Sequence, residues 1–379
     1  MSRVRTPSPH QLTTSSLRTW VEIDLAAIRY NLKAVQKLAG RAAIMAVVKA
    51  NGYGHGLTEV AGTLQGGVAI FAVASLGEAL QLRLSDPTTP ILLLSAALPS
   101  EYAQIARHGF IPTISSWEEA RLFAKALPKE AEGSMIHFKV DTGMGRLGAK
   151  PDDALEALKK IQTLPLRLHS ISTHLPSADS DKTATLAQLK SFEKVLDQLR
   201  EIAPGVPIHA LNSAATMLFP AYSHDLVRIG LALYGVSPIP KFQKLLRPAL
   251  SWKAAVTFLN TIPKGHGISY GSTYTAPRKL TVAVLPVGYA DGYPRQVSGK
   301  GASVLLHGKR CKVLGRVTMD QIIVDVSQLN AIKVGDEAIL VGKQGKEEIT
   351  ATEVAHLADT IPWHIFCGIT GRVAYSYKG

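Results

Sequence analysis

Through its first two thirds the chain alternates short apolar runs with longer amphipathic stretches. The runs lie at 43–50, 69–75, 91–96, 111–115, 135–142, 166–174, 207–212 and 225–231, each of strand length and of buried-strand composition. Between them, 77–84, 116–127, 152–163 and 183–203 carry apolar residues at helical spacing, and Ser116 with Glu119 three residues on marks a helix start. Ahead of the first run, VEIDLAAIRYNLKAVQKLAG reads as a short strand and then a helix opened by Asp24, with Leu25, Ile28, Leu32 and Val35 on one face. Eight strand–helix units over roughly 200 residues predict an α/β fold, a (β/α)8 TIM-like barrel, where a doubly wound sheet usually stops nearer six strands. From Leu250 the period changes to β-like segments split by glycine turns, with one helix expected over 351–360. The domain reading is therefore a disordered tail over 1–17, the barrel over 18–246, and a mostly β C-terminal domain over 247–379.

Composition narrows the classes. The net charge of +13 would suit a nucleic-acid binder, but the basic residues are scattered among acids with no basic block. The charge is better matched to small anions, so neither nucleic acid nor membrane is an expected partner. No apolar run approaches the roughly 20 residues of a membrane span. Cys311 and Cys367 are the whole cysteine complement, too few for a disulfide framework, which points to a cytoplasmic protein. Residues 1–17 are rich in Ser, Thr, Pro and Arg without an acid, and lack the apolar segment of a secretory signal. A cytosolic tail and an organelle transit peptide both fit that composition. No His/Cys spacing resembles a metal site, and His55 and both cysteines read as structural.

Chemistry enters at the strand ends, the face on which such barrels build their sites. Lys49 closes the first run and is followed by Gly52, Gly54 and Gly56 around Tyr53 and His55. Burial disfavours a lysine's charged form and frees its amine for Schiff-base chemistry. A strand-end lysine can equally run its stem out to solvent, so the residue alone leaves both open. Asp141, Thr142 and Gly143 end the fifth run with Arg146 beyond; His174 ends the sixth, Asn212 and Ser213 the seventh, Arg228 and Gly230 the eighth. All converge on one face of one barrel.

Taken in order, AVVKANGYGHG, FKVDTGMGRLG, STHLPSAD, LNSAAT, VRIGLALYG, ISYGSTY, VGYADGYPR and GRVTMDQ make the chain resemble the alanine racemases, fold-type III enzymes that use pyridoxal 5′-phosphate (PLP). The resemblance spans nearly everything after the tail. It implies interconversion of L- and D-alanine, a supply of D-alanine for peptidoglycan precursors, and a homodimer with shared active sites. Lys49 resembles the lysine that carries the cofactor. Tyr53, Asn212, Ser213, and the backbone at Gly230 and Leu231, resemble cofactor ligands, most of them on the phosphate. Arg228 would face the pyridine nitrogen with His174 beside it. Arg146 and the Met319 backbone would hold the substrate carboxylate, and Tyr289 would narrow the entrance, with Arg295, Arg316 and Asp179 along the approach. Tyr270 would arrive from the second subunit as the base for the L-enantiomer, Lys49 serving the D-enantiomer. Lys139 is a candidate for carbamylation, beside the alternative of pairing with an acid.

Two departures stand out: Gly371 where some members carry a phosphate-binding tyrosine, and Ala374-Tyr375 where many have Pro-Arg. The chemistry fits the resemblance. A guanidinium keeps its proton, so Arg228 can donate to the pyridine nitrogen without protonating it, which disfavours transamination and decarboxylation. An unassisted phenol is a weak base near neutral pH, so Tyr270 needs the His174–Arg228 pair behind it. Two rivals remain. A decarboxylase of basic amino acids would place an acid at the pyridine nitrogen and a cysteine near the substrate. A non-catalytic PLP-binding protein would need neither the β domain nor Tyr270.

Overall fold

The first strand, β1 (Thr19–Asp24), does not join the barrel. It pairs antiparallel with β10 (Leu250–Ala255) and parallel with the last strand, Ala374–Lys378, with Trp20 opposite both Lys253 and Ala374. The computed structural model describes residues 17–379, and the tail expected over 1–17 lies outside them but for Leu17. They form two compact units, Ala27–Arg247 and the segments ending at Ala26 and running Pro248–Gly379. The boundary expected at 18 thus moves to Ala27. A strand followed at once by an amphipathic helix has the same pattern in a βα unit as here, so periodicity could not reveal its sheet.

Within Ala27–Arg247 the eight expected runs are eight strands: β2 (Ala43–Val47), β3 (Ile70–Val73), β4 (Ile91–Leu93), β5 (Ile111–Ile114), β6 (Ser134–Lys139), β7 (Leu166–Ser172), β8 (Ile208–His209) and β9 (Leu226–Ile229). They lie parallel in chain order from β2 to β8, and β9 returns to pair with β2. Two backbone bonds draw the ends together, Asp225 N–H to Ile208 O at 3.1 Å and Arg228 N–H to Leu211 O at 2.9 Å. Helices Leu76–Ser85, Trp117–Lys125 and Lys182–Ile202 are opened by Ser75, Ser116 and Asp181, whose side chains accept the amides of Glu78, Glu119 and Ala184. Each cap satisfies a donor the helix itself leaves without a partner.

The other unit is built on a ten-stranded sheet with β1 inside it. Glu22 on β1 accepts from Lys253 at 2.9 Å, and Lys253 also reaches Glu337. The helix expected over 351–360 is Ala351–Leu357, opened by Thr350, and a second helix, Pro362–Cys367, follows it. Among the described residues no helix is long and apolar enough to cross a membrane.

One buried polar residue organises the end of the barrel unit. Asn31, fully buried on the helix Leu25–Ala39, donates to Leu233 O at 3.0 Å and Arg247 O at 2.8 Å, and accepts Arg247 N–H at 2.8 Å. Replacing it with alanine leaves three backbone groups without these partners. Asn31→Ala is expected to lower unfolding free energy by about 3 kcal/mol, read by denaturant titration as a lower midpoint at unchanged slope.

Candidate active site

Arg228 projects from β9 into the barrel, 5% exposed, and no carboxylate pairs with it among the described residues. Instead its guanidinium is held by carbonyls and imidazoles. Nη1 donates to His209 O at 3.1 Å and to His209 Nδ1. Nη2 donates to Ala210 O at 2.7 Å and Thr173 O at 2.8 Å, and meets His174 Nδ1 at 3.2 Å. Among the described residues this leaves Nε–H as the guanidinium donor without an acceptor. Burial lowers the pKa of Arg228 to about 10, so it remains a cation at neutral pH.

That charge dictates its neighbours. Because the guanidinium donates to Nδ1 of His174 and His209, each ring must carry its proton on Nε2. Burial, then the charges of Arg228, Lys139, Arg146 and Lys49, push His174 down to about 2. Burial and Arg228 also hold His209 well below the ordinary value. His137 stacks on His209 with centroids 4.8 Å apart, is held by Ser170 and Ser172, and is depressed by burial and Arg228. Sequence reasoning missed His137 and His209. The signal was there: His137 and Lys139 share one face of β6, as Ser170 and Ser172 do on β7.

Lys139 is buried beside the same cations, and burial, Arg228 and Arg146 lower its pKa to about 8. It forms no salt bridge among the described residues. The nearby Asp141 instead shapes the loop that carries Arg146, accepting the amides of Gly143, Met144 and Arg146 at 2.9, 2.7 and 3.0 Å.

Lys49 follows β2 and opens a turn of the wrong hand. Ala50, Asn51, Gly52 and Tyr53 have φ of 52°, 54°, 60° and 54°, a left-handed helical turn where a glycine loop was expected. For residues with a Cβ this conformation costs about 1–2 kcal/mol each. The surroundings hold it. Glu78 accepts the amides of Ala50 and Ala74 through its two oxygens, both at 2.7 Å. Asn51 Oδ1 accepts Leu57 N–H at 2.9 Å, and His55 Nδ1–H donates to Tyr53 O at 2.9 Å. The result aims the Tyr53 hydroxyl at Gly230, where a Cβ would lie 2.5 Å from it. Ser213 Oγ accepts Gly230 N–H at 3.1 Å, and the amides of Leu231 and Ala232 open a short helix there. Asn212 sits beside this cup with its side chain engaged elsewhere: it accepts Ala215 N–H and donates to Leu175 O.

Tyr270, Tyr289 and Met319 belong to the other unit, where they are 71%, 42% and 52% exposed. Their loops are linked. Tyr289 and Ala290 donate to the carbonyls of Thr318 and Met319, and Ser269 Oγ donates to Arg316 O at 2.7 Å. Among the described residues the Met319 amide donates to no protein acceptor.

Both units match models of one family. Residues 23–238 match the family model "Alanine racemase, N-terminal domain" and 249–377 match "Alanine racemase, C-terminal domain". The alanine racemase of Halothermothrix orenii is 42% identical over 367 residues, 95% of this chain and 97% of that one. That of Methylacidiphilum infernorum is 42% identical over 364 residues, 95% of this chain and 93% of that one. Among solved structures, alanine racemase from Clostridium difficile is similar with a TM-score of 0.89 at 35% identity, covering 96% of both chains. The Bacillus anthracis enzyme, solved with bound L-Ala-P, gives 0.88 at 35% identity over 96% of this chain and 95% of that one.

The neutral histidines make acid stability a sharp test. His137, His174 and His209 are held below their ordinary value, and burial lowers His55 to about 4. The unfolded chain binds protons at these rings below pH ~6.5 while the folded chain does not, so their contribution is complete above that pH and lost as pH falls. Each ring adds about 1.4 kcal/mol per pH unit to the slope. Denaturant titrations should give flat stability from pH 8 to 6.5 and a steep fall towards pH 5; a flat profile throughout would contradict the assignment.

Proposed function

The chain belongs to the alanine racemase family, PLP-dependent enzymes that interconvert L- and D-alanine, and from that premise we propose how its own residues divide the work. PLP, when bound, withdraws electrons from the α-carbon and so acidifies the α-proton. The residues present suit it: Gly230 has no side chain where Tyr53 approaches, and Arg228 keeps one donor unused. Lys49 supplies the amine that holds the cofactor. Tyr53 Oη, Ser213 Oγ and the Gly230 and Leu231 backbone would hold its phosphate, with Asn212 keeping the helix behind Ser213 in place. The Arg228 Nε–H would be the donor offered to the cofactor's pyridine nitrogen. That unused donor on a fully strapped cation is the observation that carries the reading, because a residue able to protonate the ring would favour other outcomes. The decarboxylase alternative needs an acid at this place and is the weaker reading.

Two bases flank the α-carbon. Lys49 removes and returns the proton of the D-enantiomer, and Tyr270 that of the L-enantiomer. His174 carries its proton on Nε2 and can donate it to the Tyr270 oxygen while Arg228 fixes the ring from behind. Arg146 and the Met319 amide hold the substrate carboxylate, and Tyr289 narrows the entrance. Tyr270, Tyr289 and Met319 are supplied by a second copy of the chain in a two-fold homodimer. Their exposure on the β unit supports that arrangement.

Exchange of solvent deuterium into each alanine enantiomer tests this division. Lys49→Ala and Tyr270→Phe should each slow racemisation by about 10²–10⁴-fold, with Tyr270→Phe impairing exchange into L-alanine more than into D-alanine. Mixing the two variants should restore activity, since each mixed dimer holds one intact site. Equal losses in both directions, or no restoration, would reject it; release of carbon dioxide would favour the decarboxylase.

Lys139 completes the site as a carbamate. Its amine attacks carbon dioxide and loses a proton, which turns a cation among cations into an anion that braces Arg146. Protein equilibrated with ¹³C-labelled bicarbonate should give a carbamate signal that Lys139→Ala abolishes. Persistence of the signal in that variant, or its absence from the wild type, would reject the modification.

A further inference from the structure

Tyr234 has no part in the assignments above, yet it touches three of their supports. Its side chain is fully buried. Its hydroxyl donates to Val47 O at 3.1 Å, the carbonyl that ends β2 just ahead of Lys49. Its ring stacks on Tyr53 with centroids 4.9 Å apart and planes 28° apart. The same ring lies 4.6 Å from that of His55, whose Nδ1–H holds the Tyr53 carbonyl. Tyr234 also ends the short helix Leu231–Tyr234, which begins at the phosphate cup. One side chain thus joins the end of the lysine strand, the far side of the left-handed turn and the segment that follows Gly230.

We propose that Tyr234 is a positioning residue for PLP binding, fixing the distance between the Lys49 amine and the phosphate cup. The inference rests on the assignment of Lys49 and Tyr53 to the cofactor. A left-handed turn built on Ala50, Asn51 and Tyr53 relaxes unless it is held from both ends. Glu78 holds its beginning through the Ala50 amide, and Tyr234 with His55 holds its end. A cofactor bound covalently at one end and by its phosphate at the other tolerates little change in that spacing.

Tyr234→Phe keeps the ring stack and deletes the bond to Val47. The dissociation constant for PLP, measured by titrating protein stripped of cofactor and following the visible absorbance of the lysine-bound form, should rise about five- to tenfold. At saturating PLP the absorbance band should return in full. A purely structural tyrosine would lower the melting temperature and leave the PLP constant of the folded protein unchanged, and that result would overturn the proposal. Should Tyr234→Phe fail to fold, His55→Gln removes the neighbouring ring and is read by the same titration, an unchanged constant again overturning it. Failure of wild type to bind PLP through Lys49 would sink the assignment beneath it. Normal wild-type binding with an unaltered variant would sink this inference alone.

Discussion

A guanidinium charge buried in a barrel without a carboxylate partner constrains everything near it. An isolated buried ion is prohibitively costly unless its donors are satisfied. Here three backbone carbonyls and two imidazole nitrogens, from the segments around His174, His209 and Ala210, do so. Those carbonyls sit where strands end and backbone groups leave the ladder, which is where a barrel can spare them. Burial, with the fixed cation beside them, keeps the histidines neutral, and the cation sets the tautomers of His174 and His209. It also lowers the proton affinity of Lys139. A carboxylate counter-ion would have stabilised Arg228 more simply, but it would have cancelled the positive charge at this end of the barrel.

A second constraint is conformational. β2 delivers Lys49 to the barrel mouth, and the chain must then reverse within a few residues to bring Tyr53 beside Gly230. A right-handed turn would send the Tyr53 side chain elsewhere, so the backbone takes the costly hand and is held there by Glu78, Asn51, His55 and Tyr234. Gly52, with φ of 60°, adopts that hand without a Cβ penalty. Gly230 is needed for another reason, the close approach of the Tyr53 hydroxyl. The two glycines answer different steric demands in one site.

The barrel was legible because eight mainly apolar segments of strand length recur with helical spacing between, and β2 to β9 fall on those segments. Strand β1 was misplaced because a strand–helix pair has one pattern whichever sheet receives the strand. The placement of Lys49, His174 and Arg228 at strand ends on one face could be read from the runs, and the contact between Arg228 and His174 follows from it. His137 left a trace only in its alternation with Lys139 on one face of β6, while His209 and Tyr234 left none, since a buried histidine or tyrosine inside an apolar run has no period of its own. Glu78 was hidden differently. It sits in the first turn of a helix, where an acid is expected for helix reasons alone, yet its carboxylate also holds the turn after Lys49.

The departures near the C-terminus bear on how the β unit presents its exposed residues. Nothing lies within 4 Å of a Cβ placed on Gly371, so the glycine there is not demanded by packing. Its neighbour Arg372 is different. Its guanidinium reaches Asp320 at 2.8 Å and the buried Asp291 at 3.4 Å. Asp320 adjoins Met319, and Asp291 lies two residues beyond Tyr289. Asp291 also accepts Gly288 N–H at 2.9 Å, and Gly292 packs so closely on Gly368 O that a Cβ would lie 2.1 Å from it. The C-terminal segment therefore fastens the Tyr289 and Met319 loops to one another through charge and contact. An exposed pair of side chains on tethered loops keeps a defined shape before anything covers it, and such preorganisation lowers the ordering entropy that association would otherwise oppose. That tie runs through Arg372 and asks nothing of the side chain at position 371.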